Sequence, residues 1–346
     1  MDELGKVFKG KKVLVTGDTG FKGRWLVRSL QYFGADVIGL SIEPPFCRDN
    51  KKIDFVLNYQ SARIDILDKD RVQKYIKKTN PEFVFHMAAQ SIFQNGILHP
   101  IETFETNTVG TLNVISSSIA TDSVKSLVVA TTDKVYENHG ESQLFDEGSA
   151  LGGTDPYAAS KTCADIICRS LANFQNSRGL RISTVRAGNV VGGGDWGVGR
   201  LVPDICEAAL SGATLQVRNL QATRPFQYVL DVIYGYLLVA QSHLNDQSHS
   251  KSNFEAFNVG PTDSLAVQEV LEIAKSILNF QYIQVSSELT RLEAKRLMID
   301  SSRLRSNLGW QPRYEPRQAI KESIAWYKVN GFRCEITLSD VREFFE

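Results

Sequence analysis

Tyr157 and Lys161 stand four residues apart in "DPYAASKTCADIICRSLANF", whose apolar residues recur at helical spacing, so the two side chains share one face. An ammonium beside a phenol stabilises the phenolate and lowers the tyrosine pKa toward neutrality. A base tuned in this way can take a hydroxyl proton while hydride leaves the same carbon. A second reactive set closes the stretch "VVATTDKVYEN", where an apolar, β-branched run delivers Thr132, Asp133 and Lys134 in succession. Adjacent residues at an irregular strand end can converge where strict alternation would separate them, so an acid and a base could face one substrate. An Asp-Lys pair in that position is also common as a solvated turn with a weak ion pair.

What could accept the hydride is suggested near the start of the chain. "TGDTGFKG" follows the apolar run "KKVLV" directly and opens a helical pattern, with Gly17, Gly20 and Gly23 spaced G-x-x-G-x-x-G. The first glycine allows a tight turn, the second lets backbone approach a pyrophosphate, and the third lets helix pack closely on strand. Amides around Thr19, Phe21 and Lys22 at the helix start would supply the anion site. Glu43 in "SIEPP" is placed to accept hydrogen bonds from an adenosine ribose, which favours NAD, or else it begins a solvated loop. Arg48 keeps a 2′-phosphorylated cofactor open. Asp65, followed by Ile66 in "RIDILD", closes a short third strand and is read either at the adenine or as an acid near a helix N-cap.

These residues require a scaffold, and the remaining pattern describes one. Strand-like runs alternate with helical stretches: "KKVLVTG", "ADVIGLSI", "ARIDILD", "PEFVFHMAA", "VKSLVVATT" and "LRISTVRAG", with helices between, including "ETNTVGTLNVISSSIA". Parallel strands joined by helical crossovers predict an α/β, Rossmann-type doubly wound parallel sheet over residues 1–188. Beyond it, residues 189–346 have a looser rhythm ("TLQVRN", "FEAFNVG") and are expected to form a smaller mixed α/β substrate-binding lobe, with some segments returning to the sheet. Lys plus Arg (39) equal Asp plus Glu (39), so no field of one sign invites nucleic acid or an anionic membrane. Five scattered cysteines form no CxxC and have no histidine at ligand spacing, which predicts no metal and reduced thiols in a cytoplasmic protein. The segment "MDELGKVFKGKK" lacks the apolar core of a signal peptide, and no apolar run approaches a membrane span. His86 reads as a satisfied core group inside a strand, the other four histidines as loop residues, and Trp196 and Trp310 as packing residues.

The glycine loop, "FHMAAQ", "TTDK" and "YAASK", in this order, resemble the extended short-chain dehydrogenase/reductases. Within that superfamily "TGDTGFKGRWL", "LGGTDPYAASKTCAD", "RAGNVVGGGDWGVGRLVPD" and "RPFQYVLDVIYGYLLVAQ" resemble the CDP-glucose 4,6-dehydratase family over nearly the whole chain. The resemblance implies NAD as cofactor, with Ala88, Ala89, Gln90 and Asn107 beside it along with Tyr157 and Lys161. It implies that Thr132 shares a hydrogen bond with the sugar 4-hydroxyl and that Asp133 gives a proton to the leaving 6-hydroxyl. Lys134, where dTDP-glucose dehydratases carry glutamate, would assist removal of the C5 proton. For the nucleotide-sugar it implies Gln90, Asn189, Arg200 and Arg224, while Arg218 is read either there or as a surface strand residue. A homodimer through long-helix packing is a further implication. A C4 epimerase or a dehydratase of another NDP-hexose remains the alternative, because the chain departs from the family in four places. "SIFQNGI" replaces the usual Pro-Leu-Val-Arg run, leaving Gln94 or Asn95 near a missing arginine. "RPFQYV" stands for RPWQHV, "EAKRLMID" for a Glu-Ala-His-Tyr-Leu run, and the stretch from Glu137 to Asp146 is short.

Overall fold

The first apolar run, Lys12–Thr16, is buried at every residue but the first, as expected of a strand covered on both faces. The computed structural model, which describes residues 2–42, 57–138, 143–174, 179–244, 252–286, 297–333 and 335–346, places this strand (β1) inside a seven-stranded sheet. The others are β2 (Asp36–Ser41), β3 (Gln60–Arg63), β4 (Phe83–His86), β5 (Ser126–Ala130), β6 (Arg181–Ala187) and β7 (Phe254–Val259). Their order is β7-β6-β5-β4-β1-β2-β3, with every neighbouring pair parallel.

Strand alternation divides the core in two. Val13, Val15, Phe83, Phe85, Val128 and Val185 face one side and pack with residues of helices Phe21–Tyr32 and Val229–Ser242. Leu14, Val84, Leu127, Val129 and Ile182 face the other, against residues of helices Lys69–Thr79, Thr111–Ile119 and Pro156–Phe174. The order reverses between β4 and β1, and the crevice beyond the carboxyl ends of these strands is where an open α/β sheet receives a ligand.

Several elements differ from the sequence reading, each for a physical reason. The third strand ends at Arg63, and Asp65 lies beyond it, its Oδ1 accepting from the Leu67 amide at 2.9 Å in a turn that leads to the Asp68 cap of helix Lys69–Thr79. The helix read over "ETNTVGTLNVISSSIA" begins as a π-helical turn, Glu105–Gly110, before becoming α-helical. "FEAFNV", read with the second lobe, is the edge strand β7 of the central sheet. The strand in "TLQVRN" stays outside that sheet, pairing with Gln281–Gln284. Among the described residues, no helix is long and apolar enough to cross a membrane. Trp196 and Trp310 are packed as read, their indole N–H groups donating to the Arg333 and Asp231 carbonyls at 3.2 and 2.9 Å.

His86, at the end of β4, crosses the sheet as a strut. Its Nδ1 lies 2.7 Å from Thr16 Oγ1 and its Nε2 3.0 Å from Thr111 Oγ1. Burial, followed by the charge of Lys161, lowers its pKa to about 3, so it folds as the neutral ring. His243 is not a loop residue. It caps the helix Val229–Ser242 and bonds Ser126 and Ser183 at 2.7 and 2.8 Å.

Between pH 6.5 and 3 the unfolded chain binds a proton at His86 that the folded chain refuses, so stability falls as pH falls through that window. The contribution is about 1.4 kcal/mol per pH unit. His86→Gln should therefore flatten the acid limb of a melting-temperature profile relative to the parent. Identical acid slopes would contradict the strut's neutrality.

Candidate active site

The glycine loop takes its shape from steric demands that only glycine meets. Gly17 has φ of +70°, and a Cβ there would lie 2.7 Å from the Ala88 amide nitrogen. A Cβ on Gly23 would lie 2.0 Å from the Gly17 carbonyl oxygen. The helix Phe21–Tyr32 therefore starts hard against β1, with Gly20 at its N-cap, no side-chain cap and no acid in its first turn. Its first amides are left for an anion, and the loop fits a dinucleotide pyrophosphate. Lys22, in that first turn, is half-buried and points inward, its Nζ 3.2 Å from the Tyr236 hydroxyl. Burial, with Arg200 adding repulsion, lowers its pKa to about 8.

Past β4, Ala88, Ala89 and Gln90 line the other side of the crevice. The Ala88 amide bonds Thr16 Oγ1 at 3.2 Å. Asn107, on the π-helical turn, accepts from the Gln90 amide at 2.8 Å and donates to the Gln90 carbonyl and Ser160 Oγ at 3.0 and 2.9 Å. It thus joins the strand-end loop to the helix of Tyr157. Ile66 is buried beside Gly110, where a Cβ would meet its Cδ1 at 2.4 Å. Glu43 and Arg48 lie outside the described residues. Asp18, which the sequence reading passed over, sits fully buried inside the loop, with Tyr59 and Ser61 hydroxyls donating to Oδ2 at 2.9 Å.

Tyr157, Thr132 and Asp133 come together at the end of β5. The turn Asp133–Val135 is a single 3₁₀ turn with Thr132 at its N-cap, and it swings Asp133 inward rather than along the strand. Asp133 is 3% exposed. Thr132 Oγ1 donates to its Oδ1 at 3.0 Å, and Oδ2 is buried with no protein hydrogen bond. Burial is the largest cause raising its pKa, against the opposing charge of Lys134. Lys134 is half-buried with its Nζ 4.6 Å from the centre of the Phe93 ring. Thr132 also lies beside Tyr157 and opposes the rise of its pKa.

The expectation that Lys161 lowers the tyrosine pKa is not met. Burial pushes Tyr157 up to about 12, with the Asp133 charge adding to the rise. Lys161 directs its Nζ to the Ala130 carbonyl at 2.7 Å, and burial and the charge of Lys22 bring its own pKa down to about 7. Desolvation therefore outweighs the ion-pair effect inferred from spacing.

The arginines divide. Arg200 turns toward the cleft, its Nη1 2.8 Å from Asp195 Oδ2 and its Nη2 3.1 Å from Ser91 Oγ. Its charge reaches Tyr157. Arg224 is half-buried and acts on Asp133 electrostatically. Arg218 is half-buried just past the strand Thr214–Val217. Asn189 is exposed, its carbonyl accepting from the Gln227 amide at 2.9 Å. Gln94, read near the missing arginine, lies against Gly199, where a Cβ would stand 3.3 Å from its Oε1. The sequence reading missed Asp195 and Ser91, which hold Arg200. An acid in a glycine-rich loop, five residues before an arginine, was the available signal. Among the described residues no group of His, Cys, Asp or Glu could hold a metal.

Comparison with known proteins places this arrangement among nucleotide-sugar enzymes. The GDP-mannose 4,6 dehydratase family matches residues 14–323. The CDP-glucose 4,6-dehydratase of Salmonella typhimurium is 33% identical over 333 residues, covering 93% of this chain and 92% of that protein. The dTDP-D-glucose 4,6-dehydratase of Bos taurus is 26% identical, covering 92% of this chain and 89% of the relative. Among solved structures, DesIV, a dTDP-glucose 4,6-dehydratase from Streptomyces venezuelae with NAD and TYD bound, superposes with a TM-score of 0.77 at 24% identity, covering 92% of this chain and 97% of that one.

Gly23→Ala should leave a folded protein whose dinucleotide affinity falls by about tenfold or more, because the loop must open to seat the new methyl. Titration of cofactor by calorimetry checks this, and parent-like affinity would remove the loop from the binding site.

Proposed function

The chain belongs to the GDP-mannose 4,6 dehydratase family, and we propose that it is an NAD-dependent nucleotide-sugar 4,6-dehydratase. Its substrate is CDP-D-glucose and its product CDP-4-keto-6-deoxy-D-glucose. The observation that carries this reading is the buried carboxyl of Asp133 with a free oxygen beside Thr132 and Tyr157. A C4 epimerase needs the tyrosine and the cofactor, but it has no leaving hydroxyl to protonate.

NAD, which the glycine loop and the Tyr157 helix would hold, would supply a hydride acceptor for sugar C4 and, once reduced, a hydride donor for C6. Tyr157, once its phenol proton has been lost to solvent on binding of the cationic nicotinamide, would accept the 4-hydroxyl proton as the phenolate, with Thr132 beside it. The resulting 4-ketone would acidify the C5 hydrogen, whose proton would pass to Lys134 in its neutral amine form. Asp133, whose pKa burial raises, would give its proton to the departing 6-hydroxyl. Lys22 and Lys161, which have no carboxylate hydrogen-bonded to either ammonium among the described residues, would be relieved by the anionic cofactor. Arg200 and Arg224 offer guanidinium forks to the sugar nucleotide's pyrophosphate, with Gln90 and Asn189 near the sugar and its phosphate. Asp65, Ile66, Ala88 and Ala89 line the cofactor's path.

The functional unit is a homodimer. Leu98, Ile101, Phe104, Val109 and Leu112, along successive helices, and Ile166, on the Tyr157 helix, expose apolar side chains that a second copy would cover. Free thiols at Cys163, Cys168 and Cys206 suit a reducing cytoplasm.

Incubated with a panel of NDP-hexoses, the NAD-loaded protein should convert CDP-glucose to a species lighter by one water, as read by mass spectrometry, with no net NAD consumed. Asp133→Asn should lower that rate by about a hundredfold or more, the usual scale of a general acid, and leave cofactor affinity unchanged. Activity should also fall as pH rises through the raised pKa of Asp133, since only the protonated acid can donate. Unchanged water loss in Asp133→Asn would overturn the assignment.

A further inference from the structure

Arg186 carries a charge one residue before the carboxyl end of β6, 3% exposed, where both sheet faces are covered. Its guanidinium forks onto Asp165, with Nε 2.9 Å from Oδ2 and Nη2 2.7 Å from Oδ1. Asp165 lies one helical turn beyond Lys161, on the same helix as Tyr157, and is 1% exposed. The third arm, Nη1, donates to the Tyr136 hydroxyl at 2.9 Å, and the guanidinium lies 5.1 Å from that ring's centre. Tyr136 stands three residues after Asp133 and stacks on Phe145 at 5.2 Å.

The same network reaches the start of the turn. Thr131 Oγ1 donates to Asp165 Oδ2 at 3.3 Å, and its amide donates to the Val185 carbonyl at 2.9 Å, next door to Arg186. Thr132, Asp133, Lys134 and Val135 are thereby strung between two tethers, Thr131 and Tyr136, both tied to the Arg186–Asp165 pair. A buried ion pair is weak as a source of stability, and apolar residues of equal volume often serve as well. What apolar residues cannot supply is a planar fork that fixes a helix, a strand and the far side of a turn at set angles.

We propose that Arg186 is a positioning residue, which sets the Thr132–Lys134 turn against the Tyr157 helix and so aims the Asp133 carboxyl at the sugar 6-hydroxyl. This rests on the dehydratase reading. Tyr157 is carried by the backbone of its own long helix and meets the turn only through Thr132, whereas Asp133 depends on the turn entirely, so loosening Arg186 should weigh far more on the second step than on the first. In Arg186→Lys, single-turnover experiments with NAD-loaded enzyme and CDP-glucose should show hydride transfer from C4 at near the parent rate. Water loss should slow by about tenfold to a hundredfold, the scale expected for a misaimed group. Reduced-cofactor absorbance would then accumulate transiently above the parent's, with KM little changed. Tyr136→Phe keeps the ring stack on Phe145 and loses only the hydroxyl, so it reports the same split, at smaller size, should Arg186→Lys fail to fold.

Equal slowing of both steps in the folded variants, or a lower melting temperature with the ratio of rates unchanged, would overturn the positioning role. A parent that oxidises the sugar but never loses water overturns the dehydratase reading and this inference with it. Loss of the split alone overturns only the inference.

Discussion

The site is built around a carboxyl group kept out of water. Asp133 lies at the end of a fully buried strand, on a single 3₁₀ turn that points it inward, and one of its oxygens has no protein donor. Burying a polar group without a partner costs free energy, and a buried carboxylate costs far more, so burial favours the protonated form. A carboxyl pKa shifted upward is the direction an acid catalyst needs. The turn and the helix behind it are joined through Arg186, which bonds Tyr136 on one side and Asp165 on the other.

Desolvation governs the other ionisable groups as well, in ways that pairwise intuition misjudges. Tyr157 is pushed up to about 12 and Lys161 down to about 7, each by burial before any neighbour acts. The protein alone holds a neutral phenol and a lysine close to losing its charge. Two enclosed cations, Lys22 and Lys161, oppose each other across the crevice, and an anionic ligand would change that balance. The groups are thus arranged for an occupied cleft.

The features legible in the sequence were those set by local sterics or short-range period. Gly17 and Gly23 announce their loop because no other residue tolerates the backbone contacts there, and Gly20 completes the spacing. Tyr157 and Lys161 announce a shared face because the helix is long and unbroken. Features that depend on distant chain were not legible. Phe254–Val259 joins the sheet beside β6 through pairing that leaves no local mark. Asp65 was read at a strand end because β3 is short and half-exposed, giving no firm boundary. The Arg186–Asp165 pair spans 21 residues, yet it left a trace: each charge interrupts an apolar run, and a charge inside a covered element must find a partner.

The central claim is that one hydrogen leaves C4 and returns, at C6, to the same sugar within one closed site. CDP-glucose carrying deuterium at C4 tests this most directly, by nuclear magnetic resonance of the product formed in ordinary water. The account predicts a product in which the deuterium sits on the new C6 methyl group of the molecule that carried it. Deuterium remaining at C4, lost to solvent, or scattered between molecules in a mixed-label incubation would contradict it.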